Sequence, residues 1–162
     1  MTRGIKLISL FFPILILGQS RVGEWKSYPS FLNVRETIEV GDLLVSATSG
    51  GILLYDREAL SFETVTNIDG LVETDLSVIA EDGNGHLWLG GAAPNGTVQI
   101  YDLAKRQSVK IFNFDLWEVT SFAVSDSVVC AAYSKDGQWG ILEFVMKDGE
   151  FSYRQIYNPS DE

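Results

Sequence analysis

The residues able to do chemistry in this chain are few and scattered. His86 is the single histidine and Cys130 the single cysteine, so a Ser-His-Asp or Cys-His constellation has only one place to stand. His86 follows Asp82-Gly83-Asn84-Gly85, where Gly and Asn accept positive φ at little cost, and it is read as an exposed residue of a hairpin turn. With no second histidine and no cysteine close in sequence, a zinc site is not expected, because zinc wants three or four N or S ligands. Glu81, Asp82 and Asn84 offer the first oxygens of a calcium loop, yet Trp88 and Gly90 stand where the later ligands belong, so the turn is the better reading. Cys130 lies in the apolar run Ser127-Val128-Val129-Cys130-Ala131-Ala132. It is expected to be a buried, inert thiol, since free Cys behaves as a small hydrophobe. No catalytic residue, metal ligand or cofactor is expected.

Short strands must position these residues. Leu76 to Glu81 alternates apolar and polar side chains, as a strand with one well-buried face does. Leu87-Trp88-Leu89 and Val98 to Tyr101 follow, separated by turn residues at Asp82–Gly85 and at Asn95-Gly96, which reads as a type I′ hairpin. A preceding group has strands at Thr37–Val40, Leu43–Thr48, Ile52–Tyr55 and Phe62–Thr66. A following group has them at Val119–Val124, Val128–Tyr133, Gly140–Val145 and Phe151–Tyr157, and Ser108–Phe112 completes the middle group. Asn67, Asn113 and Asn158 each follow a fourth strand, and Tyr55-Asp56 and Tyr101-Asp102 each close a third. The interval is about 45 residues with four strands in each, the signature of a β-propeller blade.

Composition agrees with a β-rich, packed chain. Of 162 residues, 46% are hydrophobic and 21% charged, enough apolar material for a core. The formal net charge is −10, which repels phosphate backbones and argues against a nucleic-acid partner. Residues 1–20 read as a signal peptide: Arg3 and Lys6 precede the apolar run Leu7–Leu17, and Gly18-Gln19-Ser20 supplies small residues for cleavage. That run is too short for a comfortable membrane span, which needs about 20 residues. No stable membrane insertion is therefore expected after cleavage. The expected location is the periplasm, the outer-membrane surface or the extracellular space.

Asp69-Gly70-Leu71, Ile79, Glu81-Asp82, Gly85, Leu87-Trp88, Gly90 and Tyr101-Asp102 together resemble the two-component-regulator propeller repeat. Trp25 and Tyr28, just after the leader, are similar to the first strand in the N-terminal propeller of the type IX secretion system surface component. Gly91 departs from the pattern, which has Thr or Ser there. The resemblance implies that Trp88, Gly90, Tyr55 and Tyr101 are structural. It also implies that connections between blades gather at one end of the ring. Asp69, Asp75, Asp115 and Glu118 lie on those connections; converging, they would suit a cation, a sugar or a basic peptide, and apart they are solvated loop acids.

The expectation is therefore all-β: an incomplete propeller of three four-stranded antiparallel blades at 34–66, 67–113 and 114–158. Residues 21–33 would give the outer strand of a last blade, and 159–162 the start of a missing blade or a tail. Truncation of a larger propeller protein is one account of three blades; the other is self-association through open blade edges, two copies making six blades. The expected function is a non-catalytic interaction or sensing module of an exported bacterial envelope protein, in a secretion apparatus or signalling, with a protein partner. The alternative is a domain that binds or cleaves an extracellular glycan through the loop carboxylates, with Trp117 and Trp139 as stacking candidates.

Overall fold

Alternating side chains and tight polar turns fold the chain into successive hairpins. The computed structural model describes residues 29–147 and 149–159. The expected signal peptide, the strand expected around Trp25 and Tyr28, and residues 160–162 lie outside them.

The first sheet holds β1 (Val34–Val40), β2 (Leu43–Thr48), β3 (Gly51–Asp56) and β4 (Ser61–Val65). The middle sheet holds β5 (Leu76–Glu81), β6 (His86–Gly91), β7 (Gly96–Asp102) and β8 (Gln107–Leu116). The third holds β9 (Glu118–Val124), β10 (Val128–Lys135), β11 (Gln138–Lys147) and β12 (Glu150–Tyr157). Each is an antiparallel meander in chain order. The all-β expectation of three four-stranded blades is met. β1 packs on β5, and β5 on β9, so the first strands line up side by side and the fourth strands face outward.

The first three strands of the middle sheet are buried on both faces, while β8 is largely exposed. Leu76, Ile79, Leu87, Leu89 and Tyr101 pack with Val45, Ala47, Ile52, Leu54 and Val65 of the first sheet. Val78, Trp88, Val98 and Ile100 pack with Val119, Ala131, Leu142 and Phe144 of the third. Such two-sided burial explains why β6 reads as a continuous apolar run rather than an alternation. Gly90 sits where the middle and third sheets touch most closely. A Cβ there would lie 2.8 Å from Val119 Cβ and closer still to Val78.

Side chains also tie one first strand to the next. Arg35 Nη1 donates to Leu76 O at 2.7 Å. Ile79 N–H donates to Glu36 Oε2 at 2.8 Å, and Ser77 Oγ to Val119 O. These bonds occupy edge groups that would otherwise be open to water.

Two local expectations are corrected. β8 runs on to Leu116, three residues beyond Phe112-Asn113, with register shifts between Gly96 and Thr97 and between Ile100 and Tyr101 absorbing the extra length. The turn before β7 is not Asn95-Gly96. It spans Ala92–Asn95, closed by Asn95 N–H to Ala92 O at 2.9 Å, with a cis Ala93–Pro94 peptide. Gly96 has no positive φ and already belongs to β7. That turn also accounts for Gly91: a Cβ there would meet Asn95 O and lie 2.8 Å from Thr97 N, so Thr or Ser would not fit.

Candidate functional site

The connection from β4 to β5 is held by the middle sheet. Thr66 caps a short 3₁₀ turn at Asn67–Asp69, and Asp69 Oδ2 accepts from Thr66 N at 2.9 Å, a reciprocal capping box. Tyr101 donates its hydroxyl to Asp69 O at 2.7 Å. Gln99, fully buried, accepts from Val72 N–H at 2.8 Å and donates to Glu73 O at 3.0 Å. Ser108 Oγ donates to Gly70 O at 2.7 Å. Burial first, and the Asp69 carboxylate second, push the Tyr101 phenol up to about 12.

The four loop acids each have a separate situation. Asp69 is spent on Thr66. Asp75 Oδ1 lies 2.7 Å from Arg35 Nη1, yet that oxygen accepts no hydrogen bond. The contact is a charge pairing, and the same nitrogen also donates to Leu76 O. Asp115 lies within β8 at φ 57, fully exposed, with Lys135 Nζ at 3.8 Å. Glu118 opens β9, half-buried. Among the described residues no group of three or more His, Cys, Asp or Glu is arranged to hold a metal ion.

A polar hub at the β5–β6 turn was not foreseen in the sequence. Asp82 is buried; its Oδ1 accepts from Asn84 N at 2.9 Å and His86 N at 3.2 Å, and its Oδ2 lies 3.1 Å from His86 Nδ1 and 3.4 Å from Trp88 Nε1. His86 is not an exposed turn residue: its side chain is 22% exposed and meets Phe151 edge-on at 5.0 Å. The signal was the Asp-x-x-x-His-x-Trp spacing, which places all three groups at one end of a hairpin.

The outer faces of the first and third sheets are open and partly apolar. On the third, strand register places Ala132, Ile141 and Tyr157 in one row, Cys130, Glu143 and Gln155 in the next, and Ser134 beside Trp139. Glu143 is buried in the middle of this face, accepting from Arg154 Nη1 at 2.8 Å and Tyr157 Oη at 2.6 Å. That hydrogen bond raises the Tyr157 pKa, and burial adds to it. Cys130 is half-buried rather than buried as expected, because it points to this open face. Burial, then Glu143, raise its pKa, so it stays a thiol near neutrality. Trp117 and Trp139 are 55% and 67% exposed. On the first sheet, Leu44, Leu53, Tyr55 and Phe62 share the outer face, with the Tyr55 and Phe62 rings 4.7 Å apart.

No family model matches the chain, and no curated protein matches it. Solved structures do. The N-terminal domain of Nup159 superimposes at TM-score 0.54 with 21% identity, over 78% of this chain and 31% of that one. A chain of the S. cerevisiae complex of Dbp5 with Nup159, Gle1, IP6 and ADP gives TM-score 0.55 at 21% identity, over 78% of this chain and 30% of that one. A chain of the mitotic checkpoint complex gives TM-score 0.57 at 13% identity, over 75% and 37%. The chain thus spans about a third of the length of these propellers, and what the likeness shows is the fold: three blades of a β-propeller.

Proposed function

We propose that the chain is a non-catalytic interaction module, carried by an exported bacterial envelope protein with a role in a secretion apparatus or in signalling. The observation that supports it is the contrast between sheets. β5, β6 and β7 of the middle sheet are covered on both faces, whereas the outer faces of the first and third present Phe62, Trp139, Ile141 and Tyr157 to solvent. Exposed apolar surface of this kind marks contact with another macromolecule. Export draws on the apolar leader alone, and envelope placement on the resemblance of the repeat.

The test of interaction is native mass measurement of the purified chain with and without an extract of the source envelope. A complex of defined mass is expected, and Trp139→Arg should dissolve it while leaving the melting curve in place. A monomer that forms no complex in either condition would overturn the reading. Export is checked by fusing residues 1–20 to alkaline phosphatase, which is active only once exported.

A second reading, carbohydrate binding, draws on Trp117 and Trp139. The Trp117 N–H bonds to Ser134 O at 2.9 Å, and Trp139 is the cross-strand partner of Ser134, so two exposed indoles flank one hairpin. Quenching of tryptophan emission by envelope polysaccharide, lost in Trp139→Ala, would favour it.

A further inference from the structure

The turn end of the first two sheets, opposite the connection at Thr66–Asp75, carries a hollow of about 540 Å³. Its floor is apolar: Val40 and Leu43 flank the β1–β2 turn, Leu54 comes from β3, and Leu103 from the β7–β8 turn. These four belong to the aliphatic core between the two sheets, so the hollow is the open end of that core rather than a surface wrinkle. Its size and apolar lining fall in the range of binding sites.

The polar groups on its wall are few. Glu63 of β4 and Arg106 of the β7–β8 turn pair across it, Arg106 Nη2 to Glu63 Oε2 at 2.5 Å, and so cancel each other's charge. Asp56 at the end of β3 is not cancelled. Its Oδ1 accepts from Glu58 N at 2.8 Å and Ala59 N at 2.9 Å, which locks the carboxylate in place. Its Oδ2 has no ion-pair or hydrogen-bond partner among the described residues. Arg57 does not reach it, being held by Glu39 and the carbonyls of Gly41 and Asp42. Ser61, the cross-strand partner of Asp56, adds a hydroxyl to the lining. Also at this end are the exposed acids Asp42 and Glu58 and, in the β7–β8 turn, Lys105, which is held by Asp102 at 2.7 Å; the chain as a whole carries a net charge of −10.

We propose that this hollow seats an extended segment of a partner protein that places one bulky aliphatic side chain on the Leu43–Leu54–Leu103 floor and a lysine or arginine next to it on Asp56 Oδ2. The proposal rests on the interaction-module reading and names a docking point for it separate from the outer sheet faces. An apolar side chain alone would leave the Asp56 oxygen without a partner as water is displaced, which is costly. An acidic segment would be repelled. A basic residue beside the anchor satisfies both conditions, and the fixed carboxylate needs no rearrangement to receive it.

The experiment uses the full mature chain and a fluorescein-labelled hexapeptide in which leucine and lysine alternate, followed by anisotropy. A matched peptide carries glutamate for lysine. The lysine peptide should bind and the glutamate peptide should not. Ala104→Trp, which fills the hollow from its rim, should abolish binding. Asp56→Asn, which keeps an oxygen for the turn, should weaken it about 5–10-fold, and Asp126→Asn, an exposed acid on the β9–β10 turn, should change nothing. Equal loss in Asp126→Asn and Asp56→Asn, or full binding by Ala104→Trp, would show adsorption to an acidic surface and overturn the proposal. So would no binding of the lysine peptide at all. If the lysine peptide fails these tests while the chain still forms the complex that Trp139→Arg dissolves, the docking point is wrong and the module reading stands.

Discussion

Leu87 and Leu89 look toward one neighbour of the middle sheet and Trp88 toward the other, and the two interfaces differ in kind. Toward the first sheet the contact is aliphatic, Val, Ile and Leu from both sides. It is finished by polar clamps, Gln99 and Tyr101, that hold the chain crossing between sheets. Toward the third sheet the contact is aromatic. Trp88 meets Phe144 at 5.4 Å and Phe151 at 5.6 Å, and Phe112 lies 4.8 Å from Phe144. Aliphatic packing is non-directional and tolerates a swap of similar volume. Tilted and edge-on rings depend on geometry as well as area. The aromatic interface should therefore lose more from a single change.

The largest break is Trp88→Ala, which removes the largest fully buried side chain and its hydrogen bond to Asp82. It should cost about 3–5 kcal/mol, against about 2–4 for Leu89→Ala on the aliphatic side. Denaturant titration checks both, and equal costs would remove the asymmetry. Next is Gly90→Ala, which presses a methyl into Val78 and Val119 and should destabilise by about 1–3 kcal/mol. A neutral result would mean that the middle and third sheets can slide apart.

Tyr101→Phe comes third, leaving Asp69 O without its donor, at about 1–2 kcal/mol. It also carries a pH signature. The Tyr101 phenol has a raised pKa, about 12, so its stabilising effect is fully present below the ordinary tyrosine value of about 10. It is lost as pH climbs through about 12. Wild type should lose stability over that window, and Tyr101→Phe should lose less; identical alkaline profiles would remove Tyr101 as the cause. The smallest effects belong on the open faces. Asp115→Asn, which keeps a residue type that tolerates φ 57 and removes only a long contact to Lys135, should stay within about 0.5 kcal/mol, and a larger loss would mean that the outer end of β8 is under more load than its exposure suggests.

The strands were legible where turn chemistry and alternation agreed. Leu43–Thr48 appears with the expected bounds, and β6 was marked by Leu87-Trp88-Leu89 between glycines. β8 was misjudged at its end because Asn113 and Asp115 look like turn residues, yet Phe112 and Phe114 keep the strand's inward face and stack 6.3 Å apart. Asn95-Gly96 drew attention from Pro94, which is what shapes that turn. Sites were harder to read. The Asp82–His86–Trp88 hub depends on side chains meeting at one end of a hairpin, and Gln99 looks like an ordinary polar interruption of an apolar strand until the chain crossing from β4 is seen against it. Asp56 and Leu103 lie 47 positions apart and meet only because two blades stand side by side.

The meander order of each sheet bears on how the molecule comes into being. Among the described residues every strand pairs only with the strand before or after it in the chain, so each of these pairings closes a short loop, and such local closures are fast compared with the distant pairings of other β folds. A chain emerging from synthesis can finish the first sheet before the second exists. Packing of faces must wait. Leu87 and Leu89 find cover at once, but the cover of Trp88 is complete only when Phe144 and Phe151 arrive more than fifty residues later. For that interval the middle sheet has a finished backbone and an unfinished core, the stage at which a chaperone or a stray strand would have most to hold.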